Sequence, residues 1–132
     1  MSKLRILMVE DNPLNRQLAR DVLEVRGHEV TVAVDVDGAR HQLERGTYDI
    51  VLIDIQIPGG GGEAVLKHMR ERDNLKKLPA LAVTAYAMAG DKERLLAAGF
   101  DGYIGKPIDT KSFGATVETF AETSSPGDQS NG

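Results

Sequence analysis

Short apolar segments separated by stretches long enough for one helix each constrain this chain more than any other feature. The segments are Leu4–Val9, Glu29–Ala33, Ile50–Ile53, Ala80–Val83 and Gly102–Ile104. The first, third and fourth are almost wholly apolar, as in strands covered on both faces of a parallel sheet. The second, EVTVA, alternates and fits an edge strand with one wetter face. Between the segments the period changes to that of a helix. Asn12 is a good N-cap, Pro13 suits the first helical turn, and Gly27 stands where a C-terminal glycine is expected. Leu14, Leu18, Val22 and Val25 supply an apolar stripe for this first helix. Further helices are predicted over Asp37–Arg45, Glu63–Arg72 and Met88–Ala97. A last one starts near Thr110, behind Asp109, with Phe113, Val117 and Phe120 as its core side. Strand and helix in alternation predict a doubly wound α/β domain. In such sheets chemistry gathers beyond the C-terminal ends of the strands, where strand order reverses.

A chain of 132 residues suits one domain and can bury a core without staples. Residues 1–122 are expected to form it, and the polar stretch 123–132, rich in Gly, Ser and Pro, is expected to be a disordered tail. There is no cysteine, so disulfides and thiolate metal sites are excluded. The cytoplasm is the plain reading of that. No basic run exceeds Lys76-Lys77, and net charge is -4, so no footprint for a nucleic-acid backbone is present. No stretch reaches membrane-spanning length. His28, His41 and His68 lack metal-ligand spacing and read as surface residues, and the charges at Arg70–Arg72 read as a solvated helix face.

The strand ends carry the chemistry. Strand one runs into Glu10-Asp11, strand three into Asp54, strand four into Thr84, and strand five is followed by Gly105-Lys106-Pro107. If strands one and three are neighbours, three carboxylates converge. Two unit charges roughly 4 Å apart repel by about 4 kcal/mol at an effective dielectric near 20. Lys106 alone leaves a deficit, and a hard divalent cation such as Mg²⁺ supplies the difference while leaving positions for phosphate oxygens. A cation, a lysine and a hydroxyl around one carboxylate would stabilise a transferring phosphoryl group. The carboxylate itself can be the nucleophile, giving an aspartyl phosphate.

The stretches VEDN, DIVLIDIQIP, VTAYAMAGD and GFDGYIGKP, in this order and spacing, resemble the receiver domains of two-component response regulators. The resemblance covers about Lys3 to Ala121 and is nearest to single-domain chemotaxis and cell-cycle regulators and to receivers of hybrid histidine kinases. It implies a flavodoxin-like (βα)5 fold with strand order 2-1-3-4-5. It implies that Asp54 is the phosphoacceptor and that Glu10, Asp11, Asp54 and the backbone carbonyl of Gln56 surround Mg²⁺. Thr84 and Lys106 match the residues that hold phosphoryl oxygens, Tyr103 matches the aromatic switch that follows the threonine, and Gln56 and Tyr86 stand where phosphoryl lifetime is tuned. A cis Lys106-Pro107 peptide is implied as well. So are a sensor histidine kinase or histidine phosphotransfer protein as donor and a downstream protein as target, with no enzymatic turnover of another substrate. Met88 and Ala89 would lie on the partner-facing surface.

Other readings are weaker on the residues. A haloacid-dehalogenase-like phosphatase would want an acid two residues past the nucleophile, where Gln56 stands. A pseudo-receiver would have no use for the intact acids, threonine and lysine. Met1 and the polar ending fit a freestanding protein rather than a hybrid-kinase fragment. The run Gly59–Gly62 departs from the family pattern of one glycine near Gly62. It is expected to form a loop looser than usual that orders when Asp54 is phosphorylated or Mg²⁺ binds. No Lys-Ser/Thr follows it, so it is not a nucleotide P-loop.

Overall fold

The computed structural model describes residues 3–85 and 89–123, with Ala89 and Thr123 described by backbone alone. The chain order is β1 (Arg5–Val9), α1 (Pro13–Val25), β2 (Glu29–Ala33), α2 (Val36–Arg45), β3 (Ile50–Asp54), α3 (Gly62–Arg70), β4 (Ala80–Thr84), α4 (Ala89–Ala98), β5 (Gly102–Gly105) and α5 (Phe113–Thr123). All strands pair in parallel, in the order β2-β1-β3-β4-β5. This is the flavodoxin-like arrangement. Beyond Thr123 the predicted tail lies outside the described residues, and so does Met88, the expected first residue of the fourth helix.

Two apolar layers sandwich the sheet. Leu7, Val9, Val51, Ile53, Ala80 and Ala82 face α2, α3 and α4 through Leu43, Met69 and Leu95. Ile6, Met8, Ile50, Leu52, Leu81 and Val83 face α1 and α5 through Leu23, Phe113 and Val117. Alternate residues of one strand therefore feed opposite cores, which is why β1, β3 and β4 read as continuous apolar runs. The edge strand β2 keeps intermediate exposure at Thr31 and Val32. Among the described residues no helix is long and apolar enough to cross a membrane.

Three local expectations need correction. Helix α1 begins at Pro13 behind Asn12, whose side chain accepts from the amides of Leu14 and Asn15. Yet of the expected stripe only Val22 packs against the core under α1: Leu14 is 81% and Val25 87% exposed, and Leu18 is also exposed. Ala19 and Leu23 are buried instead. Both stripes have helical spacing, and the direction in which the chain leaves β1 chooses between them. Helix α5 starts at Phe113, because the Asp109 side chain accepts from the Lys111 amide and its carbonyl accepts from the Ser112 and Phe113 amides. That local turn delays the helix. Helix α3 ends at Arg70, and Arg70 is not a solvated charge. Its guanidinium donates to the carbonyls of Lys76, Leu78 and Gly99 and to the Asp101 carboxylate, tying α3 to the loops that enter β4 and β5.

Candidate functional site

The strand registers bring the candidate residues together. Val9 pairs with Ile53, so Glu10 leaves β1 beside Asp54 at the end of β3. Thr84 pairs with Gly105, so Lys106 leaves β5 beside the end of β4, where its amide donates to the Thr84 carbonyl at 2.8 Å. Glu10, Asp54 and Thr84 are buried, whereas Asp11 is exposed. One carboxylate oxygen from each of Glu10, Asp11 and Asp54 lies within 4.8 Å of the others. The Lys106 ammonium reaches two of the three: Nζ lies 2.9 Å from Glu10 Oε1 and 2.9 Å from Asp54 Oδ2.

The remaining oxygens are held by backbone. Asp54 Oδ1 accepts from the Gln56 amide at 3.0 Å, and Glu10 Oε2 accepts from the Asn12 amide at 3.1 Å. Asp54 is therefore clamped from both sides before any substrate arrives. Burial pushes the Glu10 carboxyl up, and the Asp54 charge adds to that, while Lys106 and the Asn12 amide pull the other way. Burial would lower Lys106, but its hydrogen bonds to Asp54 and Glu10 outweigh it and its pKa is raised. One ammonium faces three carboxylates, so the cluster keeps excess negative charge. Its donors are all oxygen, the set that suits a hard divalent cation.

The other candidates surround this cluster. Gln56 is exposed at the rim, and only its amide is engaged with Asp54. Tyr103 is half-buried on β5 and packs against the core shared by α2, α3 and α4. The Lys106-Pro107 peptide is cis. Tyr86 lies outside the described residues.

The glycine run has a conformational reason. Gly59, Gly60 and Gly61 take φ of +98°, +125° and +82°, a region that favours glycine. The loop is tethered, with the Gly61 amide donating to Ile57 and the Gly62 amide to Ile55, while the Pro58 carbonyl accepts from the Val36 amide. Gly62 is required by contact: a Cβ there would lie 2.7 Å from the Asp54 carbonyl oxygen.

Sequence reasoning missed two features. Arg16, one turn into α1, donates from Nη1 to the carbonyls of Glu10 and Asp11, each at 3.3 Å. Only its place shortly after the acid pair hinted at this. The second is an ion cluster that links α5 to the turn between α1 and β2, buried at His28 and Glu118 and exposed at Arg26. His28 and His68 are buried, and of the three histidines only His41 is exposed. His28 Nδ1 accepts from the Leu4 amide, so Nε2 carries the proton and donates to Glu118 at 2.6 Å. Arg26 closes a two-toothed pair on the same carboxylate, with both distances 2.7 Å. A charge on the inner side of α5, between Val117 and Phe120, was the available signal. His68 sits between α2 and α3 with Glu44 and Arg72, and burial lowers its pKa, aided by the Arg72 charge.

Comparison with known proteins adds to this geometry. Residues 6–118 match the family model of the response regulator receiver domain. The chain is 37% identical over 115 residues to the polar-differentiation response regulator DivK of Brucella anthropi, covering 87% of this chain and 94% of that protein. It is similar to the receiver domain of the sensor histidine kinase PA1611 of Pseudomonas aeruginosa, solved with a magnesium ion coordinated in its active-site cleft. That likeness has a TM-score of 0.83 at 31% identity and covers 92% of this chain and 99% of the other. A putative response regulator from Chloroflexus aurantiacus superposes with a TM-score of 0.86 at 26% identity, over 92% and 99% of the two chains.

Proposed function

Because this chain belongs to the family of response regulator receiver domains, signalling domains of two-component systems that are phosphorylated on aspartate, we propose that Asp54 is its phosphoacceptor. The observation that carries this is the Lys106 ammonium bridging Asp54 and Glu10 at 2.9 Å inside the three-carboxylate cluster. Glu10, Asp11, Asp54 and the Gln56 carbonyl fit Mg²⁺ by donor type and by their uncompensated charge. Bound there, the ion would neutralise charge on the phosphoryl oxygens and hold them against the nucleophile.

The chain's own groups do the rest. A carboxylate oxygen of Asp54 attacks the phosphorus of a phosphohistidine. The new P–O bond forms as the P–N bond breaks, and the electron pair leaves with the imidazole nitrogen. Lys106, already 2.9 Å from Asp54, turns to the arriving phosphoryl oxygens, and the Thr84 hydroxyl donates to another. Such charge-assisted bonds are stronger than neutral ones. Water later cleaves the acyl phosphate, with Gln56 at the rim and Tyr86 setting how long it survives. The domain thus promotes only its own phosphorylation and dephosphorylation.

The donor is a sensor histidine kinase or a histidine phosphotransfer protein. Leu14 and Leu18, exposed at the start of α1 beside the acid pair, offer such a partner an apolar landing. The output is a protein target. Thr84 drawn toward the phosphoryl group and Tyr103 following it would repack the face formed by β4, α4, β5 and α5. Moving such a switch from 1:99 to 99:1 takes about 5.5 kcal/mol of differential interaction. A phosphoryl pair with Lys106, a bond to Thr84 and refilling by Tyr103 are together of that order.

The test is intact-mass analysis after incubation with acetyl phosphate and Mg²⁺, and after phosphotransfer from candidate kinases. The wild type should gain one phosphoryl group and Asp54→Asn none. A wild type that stays unmodified, or a variant labelled equally, refutes the assignment.

A further inference from the structure

The turn from β1 into α1 carries two of the three acids, and its backbone is held at successive points. The Glu10 amide donates to the Ala33 carbonyl at 2.9 Å, fixing the end of β1. The Asn12 carbonyl accepts from the Arg16 amide at 3.0 Å, and Asn12 caps the helix. The Asp11–Asn12 peptide lies between these anchors. Its N–H donates to Glu10 Oε2 at 3.1 Å, and its carbonyl accepts from Arg16 Nη1 at 3.3 Å. The same Nη1 lies 3.3 Å from the Glu10 carbonyl. One guanidinium nitrogen therefore pins the peptides that follow both acids.

This matters because Asp11 has little else to set its direction. It is exposed, and among the described residues no side chain bonds its carboxylate. Where the carboxylate points is decided by its backbone. Glu10 is affected too, since a swing of the Asp11–Asn12 peptide moves the amide on Oε2. The two cations of the site differ in kind. Lys106 bonds carboxylate oxygens directly, so it competes for the atoms that would hold a metal ion. Arg16 bonds only carbonyls, so it can stay in place while those oxygens take a ligand, and its charge still reduces repulsion among the acids.

We propose that Arg16 is a positioning residue for divalent-cation binding: through the carbonyls of Glu10 and Asp11 it preorganises both carboxylates without occupying either. The proposal rests on the functional reading above and adds a residue to it. Outer groups that orient ligands typically contribute 10–100-fold to metal affinity, and an effect relayed through backbone belongs at the lower end.

The experiment is a Mg²⁺ titration of the full chain, followed by calorimetry and by backbone amide shifts, for wild type, Arg16→Met and Arg16→Lys. Methionine keeps much of the volume and removes every donor, while the lysine ammonium can still donate to the two carbonyls. The dissociation constant should rise about 10-fold in Arg16→Met, with most of the loss recovered in Arg16→Lys. The metal-free unfolding midpoints should stay close together. In acetyl phosphate reactions the Mg²⁺ concentration for half-maximal rate should shift by the same factor, while the rate at saturating Mg²⁺ holds. Wild-type affinity in Arg16→Met overturns the inference. So does equal loss in both variants, or a lowered saturating rate with unchanged Mg²⁺ dependence. A wild type that binds no Mg²⁺ overturns the functional reading and this inference together, whereas normal wild-type binding with an unaltered variant overturns the inference alone.

Discussion

Glutamine at Glu118 removes the one negative charge shared by Arg26 and His28, a change that couples stability to pH. Glu118 is buried on α5, with Arg26 on Oε1 and Oε2 and His28 Nε2 on Oε2. The Arg26 hydrogen bonds chiefly, aided by His28, hold its carboxyl at about 2 against an ordinary 4.5. A folded-state pKa below the unfolded one stabilises the protein above the unfolded value, and the gain fades as pH falls through the folded one. The window is therefore from about 4.5 down to about 2. The full shift is worth about 3 kcal/mol. Arg26 is 36% exposed, so water screens the pair and about 1–2 kcal/mol is the better expectation. Urea denaturation of wild type and Glu118→Gln at successive pH values gives the difference directly and cancels the other carboxylates. Near pH 7 the variant should be less stable by that amount, and the gap should close toward pH 2. A gap that stays constant from pH 6 to pH 2 would show that Glu118 acts by shape and not by charge.

Alanine at Gly62 puts a Cβ 2.7 Å from the Asp54 carbonyl and 2.8 Å from Ile53 Cγ2. It should cost about 1–3 kcal/mol in denaturation and slow labelling from acetyl phosphate, because the chain beside Asp54 must move. Alanine at Gly60 meets only Ala64, at 3.4 Å, and pays instead for φ of +125°. It should destabilise by about 1–3 kcal/mol but leave the labelling rate near wild type. Arg70→Ala removes a guanidinium that serves three carbonyls and Asp101 at the end of the sheet far from the acids. A stability loss of about 1–3 kcal/mol with an unchanged labelling rate is expected. A labelling defect there would mean that the two ends of the sheet are coupled.

Much of this was legible in the chain. Strand periodicity, the Asn12 cap and Gly27 each depend on residues a few positions apart, so the elements and most of their limits could be read locally. The acids, threonine and lysine at successive strand ends were legible for the same reason. The outward face of α1 was not, because two helical stripes fit the pattern and only the course of the chain after Asn12 selects one. That Gly59, Gly60 and Gly61 take positive φ, and that the Gly61 and Gly62 amides bond back to Ile57 and Ile55, was not legible either, because those angles are set by the turn into α3. The late start of α5 came from a single residue, Asp109, whose carboxylate and carbonyl bond the amides that follow it.

What the sequence by itself determined was the alternation of elements and the kind of residue that ends each strand. What only the tertiary structure decided was which of those residues meet. Asp54 and Lys106 are 52 positions apart, and His28 and Glu118 are 90. Such pairs depend on strand order and register, which the burial of every apolar strand face fixes together and no short stretch encodes alone. Glu10, Asp54 and Lys106 meet, and Arg16 bonds the backbone at their edge, because the sheet turns three separate strand ends to the same side.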